Sequence, residues 1–146
     1  MRPPLRASVV SVIDGDTFNV RLADGSEERV RFLNIDAPEM YPPGADPECY
    51  AMEAHRRVEG LVPPGGPVWL TFDSVARDRY GRSLAHVFAG DRPVAGLPDW
   101  INLRLVQEGY ARSYVFPDNA TFRGTFEGTE AEAAAAGRGL WAACPP

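Results

Sequence analysis

The first part of the chain and two later stretches alternate apolar and polar residues in short runs rich in β-branched and aromatic side chains. Such runs are typical of half-buried β-strands. The pattern predicts five strands, at 7–13, 18–22, 28–35, 68–72 and 83–88. The segment ADGS at 23–26, between the second and third runs, has the residues of a tight hairpin turn.

Three other stretches have helical spacing. In the first, about 50–61, Ala51, Ala54, Val58 and Leu61 fall on one helical face. The others cover 99–108, which begins at an Asp and stops at a Gly, and roughly 118–136, which carries an alanine run. Five strands with helices among and after them predict an α+β fold. The natural candidate is a five-stranded Greek-key β-barrel of the OB type with three α-helices.

Length and composition limit the possible classes of protein. The 146 residues suffice for a single domain, 1–146, with one buried core. No apolar run reaches the roughly 18 residues that a membrane span needs. Nothing in the chain indicates an obligate oligomer, so we expect a monomer.

The charged residues argue against a general coat protein for nucleic acids. The chain has 15 basic residues and 20 acidic ones, for a net charge of −5, and all its basic residues are arginines. Affinity for nucleic acid comes mostly from summed contacts between basic groups and phosphates. A few arginines gathered around one phosphate would still be compatible with this composition.

The two cysteines, Cys49 and Cys144, leave two alternatives open. Their wide separation is not a metal-binding spacing. They are either two buried thiols or a disulfide that ties the end of the chain to its middle. The second alternative would favour a secreted or periplasmic protein, because reducing compartments do not keep such bonds.

Several acidic residues lie where strands end, and together they suggest a metal site. Taken singly, DGD at 14–16 and the acids of IDAPE at 35–39 are ordinary turn and strand-end chemistry. Together, Asp16, Asp36, the carbonyl of Ala37 and, through water, Glu39 form a set of hard oxygen ligands. That set suits Ca²⁺, or less well Mg²⁺ or Mn²⁺, and it lacks the His and Cys that zinc prefers.

Two arginines near these acids indicate the chemistry that such a metal would serve. Arg31 precedes Asp36 in the third predicted strand, and Arg82 ends the turn RDRYGR at 77–82. A phosphodiester attacked by water gains negative charge, which forked guanidinium groups match well. A bound metal would polarise a phosphoryl oxygen, and a neighbouring carboxylate would orient or deprotonate the water.

These motifs, in this order, resemble those of the staphylococcal nuclease (thermonuclease) family, whose fold is an OB barrel with three helices. The likeness runs from VIDGDT through RFLNIDAPE, RDRYGR and INLRLVQEGYA to GRGLW. It implies Ca²⁺-dependent endonucleolytic cleavage of DNA and RNA that leaves 3′-phosphates. The implied roles are phosphate contacts for Arg31 and Arg82, general base or water positioning for Glu39, and Ca²⁺ ligation for Asp16, Asp36 and the Ala37 carbonyl.

The chain departs from the family pattern in ways that concern substrate binding. Ala37 stands where the family often has Thr, but only its carbonyl would bind metal. The family's groove uses lysines, and here Arg79 takes the place of one. Tyr80 and Tyr114 are candidate nucleotide contacts, with simple packing as the alternative. Because the loop at 41–48 is Pro-rich and acidic, we expect weaker substrate affinity and stronger salt sensitivity.

Two rival interpretations remain at this level. One is a catalytically inactive domain of the same fold that binds nucleic acid or protein, although the full set of acids and arginines favours the enzyme. The other is a calcium-stabilised structural domain, which leaves Arg31 and Arg82 without a task. Asp14 and Asp78 either support the metal from an outer layer, one on each side, or stabilise their turns.

Overall fold

A computed structural model describes residues 2–146 and shows a β-barrel surrounded by helices. The strands are β1 (Leu5–Asp14), β2 (Thr17–Leu22), β3 (Glu27–Phe32), β4 (Ile35–Asp36), β5 (Pro67–Thr71), β6 (Ser83–Phe88) and β7 (Arg112–Ser113). The α-helices are α1 (Ala51–Leu61), α2 (Ile101–Gln107), α3 (Arg123–Ala135) and the short α4 (Leu140–Ala143), and a single 3₁₀ turn covers Pro117–Asn119.

Five of the strands close into a barrel in the order β1-β2-β3-β6-β5. Neighbours pair antiparallel except β3 and β6, which run parallel. Strand β1 closes the barrel because it pairs with β2 along most of its length and with β5 at its start. Register shifts between Val9 and Ser11 and between Val12 and Asp14 bend β1 for this purpose. The prediction of an α+β fold built on an OB-type barrel is confirmed.

Alternating side chains of the strands fill the barrel. Phe18 and Phe32 meet edge to face at the centre, with ring centroids 4.9 Å apart. The other apolar residues of the five barrel strands that are completely buried are Val20, Val30, Val68, Leu70, Ala85 and Val87. Burial of this kind stabilises the barrel by about 25 cal/mol for each Å² of apolar surface, so the strand ends that carry the polar residues are held in place.

The helices cover the barrel and pack on one another. Helix α1 contacts β1, whereas α2 packs on α3 and on β6. The end of α2 crosses the turn before α4 so closely that a Cβ on Gly109 would overlap the Arg138 carbonyl oxygen. Two of the motifs noted in the sequence, EGYA and GRGLW, therefore meet at this crossing. Within residues 2–146, no helix has both the length and the apolar character to cross a membrane.

Two of the predicted elements differ most from the structure. The strand predicted over 28–35 is interrupted after Phe32, because Asn34 adopts a left-handed backbone (φ 65°) and donates a hydrogen bond to the Asn119 carbonyl. The helix predicted over about 118–136 starts only at Arg123. Asn119 lies in the preceding 3₁₀ turn, where its buried side chain binds the main chain of Val75.

Cys49 and Cys144 form a disulfide, with their Cα atoms 5.8 Å apart. Of the two alternatives left open by the sequence, the structure therefore has the bond. It joins the residues just before α1 to the residue that follows α4. The C-terminal end is thus tied to the loop that leads into α1.

Candidate active site

A polar cleft of about 340 Å³ lies at the mouth of the barrel. Its walls come from the β1–β2 turn, the end of β3, the segment around β4, and the turn before β6. The lining residues are Asp14, Asp16, Thr17, Arg31, Asp36, Ala37, Glu39, Glu48 and Arg82. The cleft therefore brings together all the residues for which the sequence suggested a catalytic or metal-binding role.

Arg31 is the most firmly fixed cation of the cleft. Its side chain is buried, and Nη1 donates to the carbonyl oxygens of Phe32 at 2.7 Å and Ile35 at 2.8 Å. The interruption after β3 makes this possible, because it turns the Ile35 carbonyl back toward the strand. Nη2 faces the acids, 3.5 Å from Asp16 Oδ2 and 3.9 Å from Asp36 Oδ1.

Asp16 is held from two sides and joins two separate segments. Its Oδ2 accepts the main-chain N–H of Ala37 at 2.8 Å, and its Oδ1 accepts the Thr17 hydroxyl at 3.0 Å. Its carboxylate is thereby placed beside both Asp36 and the Ala37 peptide. Hydrogen bonds of this kind to a charged acceptor are stronger than neutral ones, so the bond from Ala37 ties the β4 segment to the β1–β2 turn.

Gly15 makes this close approach possible. A Cβ at this position would lie 2.7 Å from the Ala37 Cβ and 2.8 Å from the Ala54 Cβ, both far inside contact distance. Helix α1 therefore rests directly on the turn that carries Asp14 and Asp16. The glycine in DGD is needed for this packing as well as for the turn.

The negative charges of the acids in the cleft repel one another more strongly than the nearby Arg31 offsets. Burial, followed by the charge of Asp16, raises the pKa of Asp14 to about 7. Burial and the charge of Asp16 also raise the pKa of Asp36, although Arg31 opposes this shift. Carboxylates that repel one another in a partly buried place are an environment in which a bound cation is favoured.

The residue types that line the cleft are compatible with a hard divalent cation. Asp16 and Asp36 carry carboxylates, Ala37 lies beside them, and the lining contains no His or Cys. Within residues 2–146, no group of three or more His, Cys, Asp or Glu side chains is arranged to hold a metal ion. The set expected from the sequence differs from such a group, since it has two carboxylates and a main-chain oxygen.

Arg82 is held by its own turn. Asp78 accepts the Arg82 main-chain N–H at 2.9 Å through Oδ1 and its Nε–H at 2.7 Å through Oδ2. Although burial opposes the shift, these bonds hold the pKa of Asp78 below its usual range. Because Nε is bonded to Asp78, the two terminal nitrogens are the atoms of Arg82 that can meet a ligand in the cleft. Asp78 thus stabilises its own turn, which is one of the two alternatives that the sequence left open, and in doing so it also holds Arg82.

The aromatic candidates flank the two arginines. Tyr80 is 69% exposed, and the guanidinium groups of Arg79 and Arg82 lie 4.8 and 5.7 Å from its ring centroid. Tyr114 is 48% exposed and contacts Phe116, and both rings lie near the Arg31 guanidinium. The structure thus places Tyr80, Tyr114 and Arg79 next to the cleft, outside its lining.

Sequence reasoning missed two of the lining residues, Thr17 and Glu48. Thr17 follows Asp16 directly, so its hydroxyl could have been suspected from the DGDT motif. Glu48 lies nine residues beyond Glu39 in an irregular loop, and no local pattern marks it. Only the return of the loop to the cleft brings it there.

Comparison with known proteins agrees with this geometry. Residues 29–143 match the family model described as "Staphylococcal nuclease homologue". The chain is 33% identical over 133 residues to the thermonuclease of Staphylococcus intermedius, and the match covers 91% of the chain and 74% of that protein. It is 30% identical over 133 residues to the thermonuclease of Staphylococcus hyicus, covering 91% and 73%. It is 34% identical to the endonuclease YncB of Bacillus subtilis, covering 88% and 58%.

Proposed function

The chain belongs to the staphylococcal nuclease family, and we propose that it is a Ca²⁺-dependent endonuclease that hydrolyses phosphodiester bonds of DNA and RNA and leaves 3′-phosphates. The observation that carries this proposal is the pairing in one cleft of two separately anchored arginines with a crowded set of acids. A purely structural calcium site would have no need of Arg31 and Arg82.

In this proposal the arginines bind the scissile phosphate. Arg31 is held in place by two carbonyl oxygens and Arg82 by Asp78, so little reorganisation is needed as negative charge builds up on the phosphoryl oxygens. Their forked donors match those oxygens in geometry as well as in charge. The expected contribution of each is several kcal/mol of transition-state stabilisation.

The acids divide into metal ligands and a group that acts on water. Asp16, Asp36 and the carbonyl of Ala37 would hold Ca²⁺, and the bound ion would polarise a phosphoryl oxygen. Glu39 is the last residue of the IDAPE segment. It is exposed and lines the same cleft. We assign to it the orientation of the attacking water and the acceptance of its proton.

The flanking aromatic residues would bind the nucleotides on either side of the cleaved bond. Tyr80 and Tyr114 are exposed aromatic residues, and stacking of a base on such a ring is worth about 1–3 kcal/mol. Arg79 lies over the Tyr80 ring and donates to its hydroxyl at 2.6 Å. It would supply part of the positive charge that lysines would otherwise bring to a groove of this type.

The decisive experiment is cleavage of single-stranded DNA at low salt, first with Ca²⁺ and then with excess chelator. Cleavage that requires Ca²⁺ and is reduced by orders of magnitude in Glu39→Gln would support the assignment. The matched control is Glu132→Gln, an exposed acid on α3, which should cleave like the parent. Release of phosphate from the 3′ ends by a phosphatase would test the product.

The rival to exclude is an inactive member of the family that only binds nucleic acid or protein. The net charge of −5 and the lack of lysine are the observations in its favour. It predicts binding of the same DNA without cleavage in Ca²⁺, Mg²⁺ or Mn²⁺. Ca²⁺-dependent cleavage by the purified parent chain would rule it out.

A further inference from the structure

The loop that follows Glu39 returns to the place where it starts. Residues 40–47 form turns and bends rather than a helix or strand. The main-chain N–H of Glu39 donates to Glu48 Oε1 at 2.6 Å, and the main-chain N–H of Glu48 donates to the Glu39 carbonyl oxygen at 2.9 Å. These reciprocal bonds close the segment 39–48 into a ring, whose two ends both line the cleft.

Glu48 is anchored by covalent and helical structure that follows it. Its carbonyl oxygen accepts the N–H of Ala51 at 3.0 Å, where α1 begins. The next residue, Cys49, is bonded to Cys144. The Glu48 end of the ring is therefore attached to α1 and to the disulfide. It can serve as a fixed point for the other end, Glu39.

Glu39 is exposed, so burial does not fix its direction. One hydrogen bond at its N–H and another at its carbonyl restrict rotation on both sides of its Cα. The bond to Glu48 Oε1 is short and charge-assisted, which makes it the stronger type. Residues that carry a catalytic group on a loop need such support, because a displacement of about 1 Å can cost roughly 100-fold in rate.

We propose that Glu48 is a positioning residue: its carboxylate holds the main chain of Glu39 so that the Glu39 carboxylate stays directed into the cleft. The inference rests on the proposed function for the role of Glu39, whereas the bond between the two residues is a feature of the structure. Glu48 acts as a hydrogen-bond acceptor in this scheme.

Kinetics of two substitutions at this position test the inference. Glu48→Ala removes the acceptor, and kcat should fall by about 10-fold or more with KM for DNA changed less than about 2-fold. Glu48→Gln keeps an oxygen in the same place, and kcat should return to within about 3-fold of the parent. If Glu48→Gln is as slow as Glu48→Ala, an acceptor oxygen at this position does not restore the reaction and the inference is wrong.

The matched control is Asp46→Ala, which removes another exposed acid from the same loop and should leave kcat unchanged. If Asp46→Ala and Glu48→Ala slow the reaction equally, the loop as a whole is responsible and the specific role of Glu48 is refuted. An unchanged kcat in Glu48→Ala would refute it as well.

Amide hydrogen exchange separates this inference from the proposed function. The Glu39 amide should exchange slowly in the parent chain and in Glu48→Gln, and markedly faster in Glu48→Ala. Equal exchange rates in all three proteins would overturn the inference even if the parent is a Ca²⁺-dependent nuclease. If the parent does not cleave, the proposed function fails, and the exchange rates still decide whether Glu48 holds Glu39.

Discussion

Arg31 and Arg82 line the same cleft but are held there by different regions of the molecule. Arg31 belongs to the barrel, is buried, and donates to two main-chain carbonyls. Arg82 belongs to a turn and is held by Asp78, through a main-chain hydrogen bond and an ion pair with its guanidinium. The barrel side of the cleft thus depends on the fold itself, whereas the turn side depends on a few side-chain contacts. A barrel-side substitution should therefore reduce activity more.

The largest effect is expected from Arg31→Lys. A lysine carries one nitrogen and cannot bond the two carbonyls while facing Asp16 and a phosphate. We expect kcat/KM to fall about 1000-fold, which corresponds to about 4 kcal/mol. The control is Arg29→Lys on the exposed face of the same strand, which should keep parental activity. A loss below about 10-fold would show that burial of Arg31 does not matter for the reaction.

Removal of the disulfide should have the next largest effect, which is on the free energy of unfolding. Cys49→Ser combined with Cys144→Ser removes a link across 95 residues, and the free energy of unfolding should fall by about 2–4 kcal/mol. Chemical denaturation of the oxidised parent and the double variant measures this loss. Since the link anchors the loop side of the cleft, the double cysteine variant should also have a lower kcat than the Arg29→Lys control. Equal stability would mean that the tie is not structurally important.

Arg82→Lys, on the turn side of the cleft, should reduce kcat/KM by less than Arg31→Lys does on the barrel side. The lysine keeps a charge on a flexible stem, so we expect kcat/KM to fall about 30- to 100-fold. Steady-state kinetics of both variants under one set of conditions make the comparison. An effect as large as that of Arg31→Lys would contradict the distinction between the two sides.

Asp78→Asn should have the smallest effect, about 3- to 10-fold on kcat/KM, because Arg82 remains but loses its charged partner. Asp78 has a lowered pKa in the folded chain, so its contribution to stability is present above the ordinary Asp pKa of about 4 and is lost as the pH falls below it. The difference in melting temperature between parent and Asp78→Asn should therefore shrink between pH 5 and pH 3, about the range of that titration. A difference in melting temperature that stays constant with pH would contradict this prediction.

How much could be predicted from the sequence depended on whether the signal was local. The strands, the helix at α1, and the residues of DGD, IDAPE and RDRYGR have local signatures, and the structure brings these motifs to one cleft. The break after Phe32 has none, because it depends on Asn34 reaching Asn119, 85 residues away. The start of α3 depends likewise on Asn119 binding Val75.

The candidate site shows the same division. The residue types alone, read along the chain, suggest acids for a metal and arginines for a phosphate. The supports have no such signature: the two carbonyls that hold Arg31, and the carboxylate of Glu48 that meets the Glu39 N–H, come together only when the chain is folded. Supports of this kind join positions that share no short motif.

Because α1 contacts Gly15, a substitution in this helix could change the position of the acids in the DGD turn. Ala54 is completely buried, and its Cβ faces the position where Gly15 has no side chain. One methyl group added at 54 would displace the DGD turn, and Asp14 and Asp16 with it, without a substitution at any lining residue. At the metal site proposed above, Ca²⁺ and Mg²⁺ would prefer oxygen distances that differ by only about 0.3–0.5 Å, so a substitution in this helix would be a route to a changed metal preference with the cleft residues kept.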